Sequence, residues 1–167
     1  MKQIFTGASL LAVTVLLWAC PYKSTVSMDD DTNVPLKEEL LGTWHKPGYP
    51  KDSTEVKIMR WNTKTYAVTA KIENDEGKYE PYRFYAWYSA VGNRQLITFY
   101  DMDTKNYYFG ETFFSRGELS IRLLSSDITE QKFYTRAAMR QFIETLYSSN
   151  KVKYDNDLDL NNMKKAD

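Results

Sequence analysis
The chain has 167 residues, with 22 Lys and Arg against 22 Asp and Glu, one His and one Cys. A zero net charge leaves no basic footprint for nucleic acid or for a strongly anionic partner. A single Cys and a single His cannot make an intrachain disulfide or the ligand set of a zinc site. Stability must then come from a hydrophobic core, and the length suffices for one domain to bury it.

The chain opens with a positive Lys2 and an apolar run over residues 4–19, about what a secretory leader needs. A membrane-spanning helix wants about 20 apolar residues. Here Thr6, Gly7, Ser9 and Thr14 interrupt the run and Pro21 would stop it. Cys20, the only cysteine, stands where the run ends. Leu17-Trp18-Ala19-Cys20 resembles a bacterial lipobox, apolar three residues before the Cys and small immediately before it, with Trp18 a departure from the usual small or aliphatic residue. The resemblance implies that residues 1–19 are a signal peptide and that Cys20 is lipidated on its thiol and on its new N-terminus. Several acyl chains exceed the one-chain limit at which membrane attachment is marginal. A plain signal peptide with a stray Cys, or an uncleaved anchor helix, is the alternative. Cleavage of the 19-residue leader leaves 148 residues, with 21 basic and 22 acidic side chains.

Residues 20–35 carry Ser, Thr, Asn, Pro and the run Asp29-Asp30-Asp31, which predicts a flexible acidic tether. Pro21 is not the Asp that, in lipoproteins, resembles an inner-membrane retention signal, so the expected address is the outer membrane of a double-membrane bacterium. The acidic run is similar to surface-export tags but lies further from Cys20 than those do, so periplasmic and surface orientations both stay open.

Residues 36–154 form the predicted domain and 155–167 a polar, fraying tail. After a helical turn around Leu36, Leu40 and Leu41, the pattern switches to period two with frequent turn residues. Strands are predicted at 42–46, 54–61, 64–72, 79–89, 94–100, 105–114, 118–124 and 128–135. Their short connections require antiparallel neighbours. The fold class is therefore mainly β, an antiparallel eight-stranded up-and-down barrel or a strongly curved meander sheet, with one C-terminal helix packed on it.

Two strands are apolar on both faces. Tyr82, Phe84 and Tyr88 oppose Tyr85 and Trp87, and Tyr107, Phe109 and Phe113 oppose Tyr108 and Phe114. Such strands need an outer cover, which a helix over 136–148 can supply through Met139, Phe142, Ile143, Leu146 and Tyr147. Thr135 is its expected N-cap.

Leu40-Leu41-Gly42-Thr43-Trp44, followed by a meander and a helix, resembles the lipocalin (calycin) family, small lipoproteins with such a domain included. The resemblance implies a Trp closing the narrow barrel end with an Arg stacked on its ring, here Gly42 and Trp44 with Arg136. The family's Thr-Asp-Tyr-like segment is replaced by Phe114-Ser115-Arg116-Gly117.

No nucleophile elbow, phosphate loop, dinucleotide fingerprint or zincin motif occurs. Asp101-Met102-Asp103 and Asp155-Asn156-Asp157-Leu158-Asp159 are the best calcium candidates, and both lack the Gly and distal Glu of an EF-hand loop. No metal and no cofactor is expected. Glu111 shares a face with Tyr107, Phe109 and Phe113, where a lone carboxylate is costly. Arg60 follows Val56 and Ile58 in the same way. An Arg60–Glu111 pair with Tyr66, Phe84, Tyr107 and Phe109 would line a ligand cup; the alternative is solvent-facing or purely structural placement. The expected function is a monomeric, non-enzymatic, membrane-anchored lipoprotein holding a small hydrophobic or amphipathic ligand. The rival is an accessory or inhibitory envelope lipoprotein with a filled barrel, docking a partner protein.

Overall fold
The computed structural model describes residues 20–29, 34–48, 54–73, 77–158 and 160–166. The leader, together with Asp30 and Asp31 of the acidic run, lies outside the described residues. The strands are β1 Lys23–Ser24, β2 Gly42–His45, β3 Glu55–Arg60, β4 Thr65–Glu73, β5 Tyr79–Val91, β6 Arg94–Asp101, β7 Tyr107–Ser115, β8 Glu118–Leu123 and β9 Met163–Lys165, with one helix, α1 Arg136–Ser148. From β2 to β8 each strand pairs antiparallel with the next, and β9 pairs with both β8 and β2. The result is a closed eight-stranded antiparallel barrel with one C-terminal helix, compatible with a lipocalin-like fold.

Alternation decides what faces inward. Val56 and Ile58 of β3, Tyr66, Val68 and Ala70 of β4, Ala86 and Tyr88 of β5, Ile97 and Phe99 of β6, and Leu119 and Ile121 of β8 fill one core with Leu40, Trp44 and Met163. A second core lies outside the barrel wall. There Met139, Ile143 and Leu146 of α1 cover the outward residues Val91, Leu96, Phe109 and Leu124. The helix starts where the sequence predicts, because the Thr135 hydroxyl accepts the Ala138 N–H at 3.3 Å. It covers a wall that is apolar on its outside.

Three expectations are corrected. Residues 128–135 are not the eighth strand: a single 3-10 turn occupies Ser126–Ile128, and Phe133 packs into the outer core. The closing strand is β9, in the segment expected to fray. Met163 and Leu160 are its apolar anchors, at 0% and 6% exposure. Backbone bonds from Asp155 N–H to Leu123 O and from Ile121 N–H to Leu160 O, both short, stitch the preceding residues to β8.

Residues 21–29 are not a free tether either. Tyr22 N–H donates to Leu124 O, β1 pairs with the start of β7, and Ser126 N–H donates to Cys20 O at 2.8 Å. Tyr22 and Met28 are the buried apolar anchors of this stretch, with Val26 half-buried against the same core, and the Tyr22 ring lies 6.4 Å from both Phe109 and Phe142. Asp29 ends it in an ion pair with Arg140 at 2.5 Å.

Candidate functional site
The barrel interior is plugged from one end by the turn before β2. Trp44 Nε1–H donates to Leu40 O at 2.9 Å. The Tyr66 hydroxyl accepts Lys37 N–H at 2.7 Å and donates to Lys37 O at 3.2 Å. Lys37 Nζ sits 4.2 Å over the Tyr88 ring, and the Tyr88 hydroxyl bonds Thr112. Burial pushes the Tyr66 hydroxyl up to about 12, and Tyr88 is pushed up further by the same cause. These hydroxyls stay protonated and are already engaged by the protein itself.

The expected ligand cup does not assemble. Tyr66 and Phe84 point inward, Phe84 edge-on to Phe99 and Tyr108 at 5.9 and 6.3 Å. Tyr107, Phe109 and Glu111 stand on the opposite, outer side of the wall, toward α1. Arg60 is exposed at the rim and pairs with Glu38, so the Arg60–Glu111 pair does not form. A strand apolar on both faces leaves alternation unable to say which face is inside.

The closure residues are also rearranged. The cation over the Trp44 ring is Lys165, 5.6 Å away, brought there by β9, and Phe114 meets the same ring edge-on at 6.0 Å. Arg136 instead heads α1 beside Tyr107 and Tyr134. Gly42 adopts φ +137°, and a Cβ there would lie 2.4 Å from the Lys165 side chain. The positive φ is what calls for glycine here, since the far end of the Lys165 side chain can swing aside.

Glu111 is buried in the outer core yet fully engaged. Arg94 donates to it at 3.1 Å, and the Tyr154 hydroxyl donates to its other oxygen. Arg94 also lies 5.5 Å over the Tyr147 ring. Burial and then the Glu111 carboxylate raise Tyr154 to about 12; burial, Tyr154 and Glu111 raise Tyr147 further. This cluster clamps the residues after α1 to β7. Asp101 and Asp155, the calcium candidates, each accept two backbone N–H bonds from the following turn; Asp159 lies outside the described residues. Among the described residues no group of three His, Cys, Asp or Glu is placed to hold a metal.

What remains on the outside is an aromatic shelf. Trp61, 61% exposed, stands 5.1 Å from Tyr85. Tyr85 lies opposite Tyr100 in the β5–β6 register. Tyr100 and Tyr107 are 4.9 Å apart, and Trp87 meets Tyr107 edge-on at 6.3 Å. At its Tyr107 end the shelf opens into a cavity of about 320 Å³, lined also by Thr25, Ser27, Tyr134 and Arg136. No family model, curated protein or solved structure matches this chain. The shelf's geometry must therefore speak for itself. Tyr107 and Arg136, singled out in the sequence for separate roles, meet here; Trp61 and Tyr100 were missed. The available signal was Tyr85 and Trp87 on the second apolar face of β5.

Proposed function
We propose that this chain is a non-enzymatic lipoprotein, anchored to the outer membrane through acylated Cys20, that docks a partner protein of the cell envelope on its outer aromatic shelf. The observation that carries the docking reading is the division of the aromatics. Trp44, Tyr66, Tyr88 and Phe99 fill the barrel, while Trp61, Tyr85, Tyr100 and Tyr107 stay outside it. A filled interior offers a ligand little room, and aromatics such as the exposed Trp61 and the half-buried Tyr85, Tyr100 and Tyr107 belong to the residue types enriched where proteins meet. The anchoring reading rests on the leader and on Leu17-Trp18-Ala19-Cys20.

The cavity of about 320 Å³ beside Tyr107 and Arg136 favours a second reading, a small amphipathic ligand held outside the barrel. A photo-crosslinking residue at Trp61 separates the two when paired with native mass spectrometry of the mature protein. Docking predicts one crosslinked envelope protein at position 61, none from Thr63, and no co-purifying small mass. A co-purifying small molecule lost in Arg136→Ala, with no crosslink from position 61, sinks the docking reading.

A further inference from the structure
Cys20 does not hang from a loose linker. Its carbonyl accepts the Ser126 N–H at 2.8 Å, Pro21 bridges Ser125, and Ser125 N–H in turn donates to Lys153 O at 3.0 Å. Any lipid on this cysteine is therefore held at one defined place, where β8 leaves the barrel and residues 149–153 leave α1. At that place lies the larger cavity, about 520 Å³, an open groove with Ile128, Phe142, Leu146 and Val152 in its walls. Lys151 and Lys153 stand exposed on its rim; Asp127 is the one carboxylate among the lining residues, with Asp155 and Asp157 close behind it.

We infer that this groove is the face that rests on the bilayer, its apolar walls taking the upper part of a phospholipid and Lys151 and Lys153 meeting the phosphate. The inference rests on the lipid-anchored reading of Cys20 and adds to it an orientation. With residues 20–22 paired to 124–126, an anchor at Cys20 brings Ile128 and Val152 to the membrane surface with no intervening spacer. Apolar side chains flanked by lysines suit the headgroup and acyl boundary, where buried area and attraction to anionic lipid act together. In the eight-stranded ring β4 stands opposite β8, so the turn between β3 and β4 lies across the barrel from the groove. That side, with Trp61, points away from the lipid.

The test uses the full chain, processed and lipidated in a bacterial host and reconstituted in vesicles of phosphatidylethanolamine and phosphatidylglycerol. With Cys20 acylated, an introduced cysteine is the sole free thiol for a nitroxide label. Labels at Lys151→Cys and Val152→Cys should favour lipid-soluble oxygen over an aqueous nickel relaxant on the order of tenfold more than a label at Thr63→Cys. Lys151→Glu with Lys153→Glu should pull a Val152→Cys label back toward water. Lipidated protein bound to vesicles, but with labels at 151 and 152 as aqueous as that at Thr63, overturns the orientation and leaves the anchor standing. A mature chain with no lipid mass on Cys20 overturns the anchor and the orientation together.

Discussion

Met163 decides whether the barrel is closed by the end of the chain. It is fully buried among the inward residues and sits in β9 opposite Leu119, while its neighbour Lys164 is exposed. Replacing a buried Met by Ala costs about 2–5 kcal/mol through lost transfer energy and the cavity left behind. Lys164 makes only a long contact with Glu118 at 3.9 Å, with both side chains well exposed, so Lys164→Ala should cost under about 1 kcal/mol. Urea unfolding followed by circular dichroism measures the difference. With a slope of about 1–3 kcal/mol per molar, Met163→Ala should lower the midpoint by about 1 M or more, and Lys164→Ala should barely move it. Removing residues 163–167 should do more, since it strips β2 and β8 of a partner and breaks the Ala166 N–H to Thr43 O bond of 2.8 Å. Overlapping curves for Met163→Ala and the parent chain would refute the closed barrel.

Three further outcomes follow from the same geometry. Gly110→Ala should destabilise by about 1–3 kcal/mol in the same assay, because its Cβ would stand 2.3 Å from the Arg122 carbonyl oxygen and backbone cannot yield as a side chain does; an unchanged midpoint contradicts the close β7–β8 passage. Glu111→Ala should cost about 2–3 kcal/mol by orphaning the Tyr154 hydroxyl and one bond of Arg94, whereas Glu111→Gln, which keeps an acceptor, should cost about half as much. Equal losses would mean that the charge and not the acceptor holds the cluster, and a Glu111→Gln variant as stable as the parent would mean that the carboxylate does no more than fill space. Tyr66 and Tyr154, held at about 12 against 10 in the unfolded chain, contribute stability that is whole below about pH 10 and lost as pH rises toward 12. Tyrosinate absorbance should therefore rise late and together with loss of the β-sheet signal, and full titration near pH 10 with the sheet intact would count against it.

Seven barrel strands and the helix were legible because each repeats its signal several times. Tyr66, Val68 and Ala70 alternate three times on β4, and Met139, Ile143 and Leu146 recur along α1. β9 was not legible because Met163 is a single inward residue between polar neighbours, and three residues cannot display a period. The segment 128–135 took its place because it too has spaced apolar residues, Ile128 and Phe133, which in fact serve the outer core. Tyr22 and Met28 were hidden by the polar residues around them. The cup failed on β7 for a different reason. Its alternation does put Glu111 on one face with Phe109, but only the neighbouring strands and α1 determine that this face is the outer one. Likewise a cation over Trp44 was expected, and its source was unreadable because Lys165 arrives from a strand with no pattern.

The position of β9 also sets a clock. Thr43 meets Ala166 across about three quarters of the chain, and among the described residues no earlier segment closes the gap between β2 and β8. The longest loop must form before the last contacts reward it, which is the ordering that slows folding most. During synthesis the molecule stays an open, unfinished sheet until β9 has emerged. Such a chain is late to lock, because the strand that closes the barrel follows every other barrel strand in sequence.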